Sequence, residues 1–341
     1  MENKKRVREI CLIVGLTVFV TALLIWSIVF DKESPTALSR EYYNYFDTVT
    51  VISDYSGGGQ TKFEASCEKI EDSLDYYHKL FDIYNEYDGI TNIATINRKA
   101  GEGAVAVNED LIDFLEYSIE MYELTGGEVN IAMGAVLSIW HDHREEGLSV
   151  PSEEALLSAS AHCDIGSIII NRENLTVELV DPKMSLDVGA IAKGYTAEKI
   201  ADMLIADGVS SCVIDLGGNL RAVGTKPDGS GWMTGIRNPD KSAEASYVHS
   251  FELSDGSAVT SGDYERYYVV DGVKYHHIID KDTLRPAAHF TSVTVICTDS
   301  GLADALSTAL FSMTYEEGLA LIDTLDGVEV VWVLPDGRVI K

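Results

Sequence analysis

Cysteine is scarce and badly spaced for chemistry: the chain has five in 341 residues. Cys11 falls in an apolar run near the N-terminus, and Cys67, Cys163, Cys212 and Cys297 are spread thinly through the rest. No CxxC or Cys/His spacing is present, which argues against a zinc site or a redox pair and favours small core residues over disulfides. Nucleotide-binding signatures are missing too. There is neither the G-x-x-x-x-G-K-[ST] of a phosphate loop nor the G-x-G-x-x-G of a dinucleotide fold, and no 20 to 50 residue repeat is visible.

Positive charge is also in short supply, with 26 Lys and Arg against 55 Asp and Glu. The first thirty residues hold four of the basic and two of the acidic ones, so the remainder carries 22 against 53, a net charge of −31. Such a surface repels nucleic acid and anionic lipid. An anionic small substrate is repelled as well, so any phosphate site must bring its own positive charge: a lysine, a helix N-terminus or a metal.

Residues 1–9 form a basic tail, with Lys4, Lys5, Arg6 and Arg8, before an uncharged, mostly apolar run from Ile10 to Phe30. At 1.5 Å per residue, 21 residues are about enough to cross a ~30 Å hydrocarbon core. The basic flank assigns residues 1–9 to the cytoplasm and the rest to the outside. No A-x-A-like site closes the run, so a single-pass, uncleaved signal anchor in the cell membrane is expected. Residues 31–41 read as a polar spacer and 42–341 as the extracytoplasmic body.

In the body, residues 45–55 alternate like a strand, and residues 61–84 repeat apolar side chains at helical spacing, with Tyr84 on that helix. Asn108 is placed to cap a helix from Glu109 to Leu124, and residues 152–162 read as a short helix. The stretch between 85 and 103 reads as a loop. Strands are expected in 167–173, 176–180, 210–218 and several times between 231 and 295, and helices in 190–206, 304–313 and 315–325. Strands and helices without regular βαβ alternation indicate an α+β fold.

Three segments carry candidate chemistry. "SLDVGAIAKGY" (185–195) reads as a strand turning over Gly189 into a helix whose first turn holds Lys193, either an anion site or an ordinary strand-to-helix turn. "DSGLADALSTALF" (299–311) sets Asp304 and Thr308 one helical turn apart on one face. Two oxygen donors so placed suit a hard cation such as Mg²⁺, although the same spacing also occurs on solvated faces. "YHHIIDKDT" (275–283) pairs His276 with His277, and on a strand at most one of them faces a site.

These pieces, with "VIDLGGNL", "SGDYERYY", "YFDTVTVISDY", "FDIYNEYDGITNIATINR" and "TGGEVNIAMGAVLSIW", stand in the order and spacing of the ApbE family, which this chain strongly resembles over nearly all of its body. The resemblance implies an ApbE-like, T-fold-related α+β body. It also implies an FAD:protein FMN transferase that passes the FMN moiety of FAD to a Thr or Ser hydroxyl of a partner redox protein and releases AMP. By the matching motifs a divalent cation, usually Mg²⁺, is held by the carbonyl of Ala190 and the side chains of Asp304 and Thr308. FAD is contacted from Phe46, Tyr84, Glu128, Val129, Asn130, Asp187, Lys193 and Ile278. His277 matches the catalytic base, for which an ordinary imidazole pKa near 6.5 is suitable. The chain departs from the pattern at Asn130, where many members have Asp, and at Gly301, where some carry a further acid. Two other readings stay open on sequence: FAD hydrolysis to FMN and AMP, and FAD binding without chemistry.

Overall fold

A computed structural model describes residues 37–240 and 243–341. Its centre is an eight-stranded sheet in which every neighbouring pair is antiparallel. The strands are β1 (Leu38–Tyr45), β2 (Thr48–Asp54), β6 (Ser211–Leu216), β7 (Asn219–Gly224), β10 (Gly256–Gly262), β13 (Ser292–Cys297), β14 (Glu329–Val333) and β15 (Val339–Ile340), in that spatial order. The sheet thus takes in residues 38–41, the end of the stretch read as spacer.

Three helices pack beside this sheet: α1 (Gln60–Phe81), α6 (Ala192–Ala206) and α7 (Ser300–Ser312). Ile70 and Leu74 of α1 and Ile200 and Leu204 of α6 meet Ile52 and Ile214 of the sheet. Leu306, Leu310 and Phe311 of α7 meet Val293, Val295 and Trp332. Each helix buries the apolar stripe that its sequence spacing provides.

A second body holds α2 (Ile93–Arg98), α3 (Glu109–Leu124), α4 (Gly134–Glu146) and α5 (Glu153–Ser160), with a small sheet of β3 (Val105–Ala106), β5 (Thr176–Leu179) and β4 (Ile168–Asn171). Asn108 does cap α3, accepting the Leu111 N–H at 3.0 Å. Phe81, Phe114 and Tyr195 join this body to α1 and α6. Two ribbons complete the fold, β8 (Trp232–Arg237) with β9 (Tyr247–Leu253), and β11 (Tyr267–Val270) with β12 (Val273–His276). Helix α8 (Tyr315–Ile322) precedes β14.

The antiparallel sheet bears out the α+β expectation, and three local readings need correction. Residues 85–103 contain α2, and α4 was not anticipated: its buried stripe is as narrow as Gly134, Val136 and Trp140, and the polar run "HDHREE" follows it. Residues 185–191 are not a strand. They make one isolated bridge, Ser185 with Met133, before turning into α6. Tyr84 lies beyond the end of α1, in the turn that Asp82 organises by accepting the Tyr84 and Asn85 amides. The apolar anchor run of residues 10–30 lies outside the described residues, among which no helix is long and apolar enough to cross a membrane. Cys67, Cys163, Cys212 and Cys297 are all free thiols.

Gly194 decides how closely α6 and α7 approach. A Cβ there would lie 2.3 Å from the Ser300 carbonyl oxygen and 2.5 Å from Asp304 Cβ. The glycine of "AKGY" therefore serves helix contact rather than a phosphate turn. Gly194→Ala should force the helices apart at a cost of roughly 1–3 kcal/mol, read as a lowered urea midpoint at unchanged slope.

Candidate active site

Where the sheet, α6, α7, the 128–131 segment, the β8–β9 ribbon and the segments flanking β11–β12 meet there is a cavity of about 1150 Å³. That exceeds the ~300–1,000 Å³ of most small-molecule sites and is roomy enough for a dinucleotide. Phe46, Tyr84, Glu128, Val129, Asn130, Asp187, Ala190, Lys193, His277, Ile278, Asp304 and Thr308 all line it.

Asp304 is 3% exposed. Its Oδ2 accepts the Gly194 N–H at 2.8 Å and is 3.8 Å from Lys193 Nζ. Helix α6 has no side-chain cap of its own at Ile191, so Asp304 supplies an acceptor to its first turn from another helix. Burial pushes the Asp304 carboxyl up, while Lys193 and the Gly194 amide pull it down. Thr308 follows one turn later, with Oγ1 3.3 Å from Ser261 Oγ. The Asp304 carboxylate, the Thr308 hydroxyl and the carbonyl of Ala190 on the same cavity are hard oxygen donors, of the chemical type that suits a small divalent cation. A Cβ at position 301 would lie 2.7 Å from Tyr117 Oη, which bonds Asp299, so this chain has a tyrosine where a further acid would have to go.

The Gly217-Gly218 turn, with φ of +61° and +94°, joins β6 to β7 and sets Asn219 at the cavity. Asn219 is aimed at Asp304 and favours its ionised form, but its buried Nδ2 stops short of a full hydrogen bond within the protein. The "LGGNL" motif held the signal for this residue. An unpaired amide donor in a buried cavity awaits an acceptor oxygen.

The two histidines divide as the alternation rule requires. His276 ends β12, is buried, and donates from Nε2 to the Ala287 carbonyl at 2.7 Å while Nδ1 accepts the Ile278 N–H. His277 faces the cavity, and its buried Nδ1 has no partner. Burial first, then Arg266, His276, Lys193 and Arg144, push its pKa down to about 3, so the ordinary value expected from sequence is corrected. That direction leaves the imidazole unprotonated in the free protein, with Nδ1 unpartnered.

Much of the remaining lining comes from turns and loops. Phe46 has φ of +54° in the β1–β2 turn, and its N–H donates to His78 Nδ1 at 3.3 Å. Tyr84, 54% exposed, sits over His141 at a ring separation of 5.2 Å. Asn130 spends one N–H on the Cys163 carbonyl and its oxygen on the Ala132 amide, so only part of its hydrogen-bonding capacity remains for a ligand. Glu128 pairs with Lys281 at 3.3 Å. Burial raises the Asp187 carboxyl against the Gly189 amide, His141, Arg266 and Arg144. Val129 and Ile278 are buried apolar wall. His141, Arg144 and Arg266 escaped the sequence reading, although cations in so acidic a chain were the available signal.

Comparison with known proteins places the chain in a family. The profile of the ApbE family matches residues 46–332. The chain belongs to the ApbE family. It is 37% identical over 261 residues to the FAD:protein FMN transferase of Treponema pallidum, covering 72% of each protein. With that of Klebsiella pneumoniae it shares 30% identity over 274 residues, covering 77% of this chain and 83% of the relative. The crystal structure of the ApbE protein of Thermotoga maritima superposes with a TM-score of 0.79 at 28% identity, over 90% of this chain and 97% of that one.

Proposed function

We propose that this ApbE-family chain is an FAD:protein FMN transferase that esterifies a Thr or Ser hydroxyl of an acceptor redox protein with the FMN moiety of FAD and releases AMP. One observation carries the reading: a histidine with an unpartnered ring nitrogen, a buried Asp304 carboxylate and, one turn on, the half-buried Thr308 hydroxyl line one dinucleotide-sized cavity. A pure binder needs neither.

The acceptor oxygen attacks the FMN-side phosphorus, the bond from that phosphorus to the bridging oxygen breaks, and AMP departs with that oxygen. His277 takes the hydroxyl proton, a contribution of roughly 10²–10⁴ in rate. Lys193 and the unpaired Asn219 amide offer donors to the pyrophosphate oxygens, in a protein whose overall charge opposes their approach. A divalent cation, Mg²⁺ in this proposal, would be held by the Ala190 carbonyl, Asp304 and Thr308 and would neutralise pyrophosphate charge. Tyr84, Phe46 and Ile278 supply flat or apolar surface for the FAD rings. Glu128, Val129, Asn130 and Asp187 complete the walls on which FAD is oriented.

Residues 10–30 are proposed as a single membrane anchor that leaves this site outside the cytoplasm, facing membrane-bound or extracellular acceptors. Incubation with FAD, Mg²⁺ and a candidate acceptor tests the function. We expect the acceptor mass to rise by one FMN with equimolar AMP. FMN and AMP without adduct would replace transfer by hydrolysis, and unchanged FAD would leave only binding.

A further inference from the structure

Four Lys or Arg side chains line the cavity: Arg144, Lys193, Arg237 and Arg266. Arg144 contacts His141 Nδ1 at 2.8 Å, Lys193 is 3.8 Å from Asp304, and Arg237 pairs with Glu265 at 3.4 Å. Among the described residues Arg266 has no such partner. With acidic residues outnumbering basic ones about two to one, a guanidinium left without a carboxylate at a cavity calls for an anion from outside.

The β11–β12 register places it. Tyr267 pairs with His276 and Tyr268 with Tyr275. One step beyond the ribbon's end, the same register sets Arg266 across from His277. Residues directly opposite in an antiparallel pair share a face, with Cβ atoms about 4.5–5.5 Å apart. Arg266 also lies near enough to His277, Asp187 and Tyr84 to bear on the charge of all three. Arginine stays protonated, so it cannot exchange roles with the histidine.

We propose that Arg266 is a further catalytic residue, a guanidinium clamp on the phosphoryl group that FAD gives up, held by the β11–β12 register beside the base that activates the acceptor. This rests on the FAD reading above. A fork of N–H donors matches two phosphoryl oxygens and gains strength as charge builds on them during in-line displacement. His277 removes the acceptor proton while Arg266 orients the phosphorus it attacks. Because Arg266 is exposed in the free protein, its replacement should leave the fold intact.

The test compares the wild-type protein with Arg266→Ala and Arg266→Lys in EDTA, titrating FAD and then riboflavin by flavin fluorescence, with inorganic pyrophosphate as competitor. In Arg266→Ala, FAD and pyrophosphate should each weaken by about tenfold to a hundredfold, and riboflavin should be unaffected. Arg266→Lys should recover part of that loss. With Mg²⁺ and acceptor restored, kcat of the alanine variant should fall by roughly 10²-fold or more. Equal affinity of wild type and Arg266→Ala for FAD and pyrophosphate, or parallel loss of FAD and riboflavin, would overturn the clamp. Wild-type protein that fails to bind FAD both in EDTA and with Mg²⁺ present would overturn the proposed function, and the clamp with it.

Discussion

Asp304→Ala will lower FAD turnover at matched Mg²⁺ by at least roughly 10²–10³-fold, the range seen when one preorganised electrostatic contact is deleted from an active site. The carboxyl is buried in the cavity wall and shares its surroundings with Lys193 and Thr308. Replacement removes the single acidic donor of the proposed cation site and leaves Lys193 without its carboxylate. The variant also loses the acceptor for the Gly194 N–H, a capping contact worth about 1 kcal/mol. Relief of a buried charge works in the opposite direction, so the stability change should stay small beside the loss of activity.

Asp304→Asn separates the two roles. The amide oxygen can still accept the Gly194 N–H, so the melting temperature should stay near wild type. A neutral carboxamide is a far weaker cation donor, so the Mg²⁺ concentration for half-maximal turnover should rise at least tenfold. Undiminished activity of Asp304→Ala across a Mg²⁺ titration would sink the cation assignment while leaving the fold argument standing.

How much of this site could be read from the chain depends on how local each signal is. Asp304 and Thr308 were legible because helical spacing alone puts them on one face, and the apolar residues around Asp304 mark it as a group in need of partners. His277 was legible as one of an alternating pair, but its pKa was not. Burial against residues far apart in sequence sets that value, and no spacing rule reports it. Gly194 stands in the candidate anion segment 185–195, and the reason for its presence is a backbone carbonyl at Ser300, more than a hundred residues on. Tyr84 continued the apolar period of α1 and was assigned to it, whereas the Asp82 side chain ends the helix by capturing the next amides. Helix α4 was missed because its buried stripe is narrow, and His141 and Arg144 were missed with it. Arg266 stood in a motif used for recognition, but its meaning lies in the hairpin register and in the lack of a carboxylate partner, both tertiary facts.

His277→Ala should bind FAD within a few-fold of wild type and transfer FMN roughly 10²–10⁴ times more slowly. The argument turns on what the imidazole can do in its surroundings. Burial and four cationic or titratable neighbours hold it neutral, with a pKa pushed down to about 3, so it is unprotonated throughout the physiological range in the free protein. The free wild-type enzyme should therefore show no acid limb near pH 6.5 in kcat/KM for FAD; an ordinary histidine base would show one. The same displacement fixes a stability slope. Between pH 6.5 and about 3 the unfolded chain binds a proton at this residue and the folded chain does not, so stability is full above 6.5 and declines as pH falls through that window. His277→Ala lacks the titrating group and should lose less stability than wild type between pH 7 and 5, measured by urea unfolding at each pH. Normal transfer by the variant, or an acid limb near 6.5 that survives in it, would remove His277 from the role of base and leave it as cavity wall.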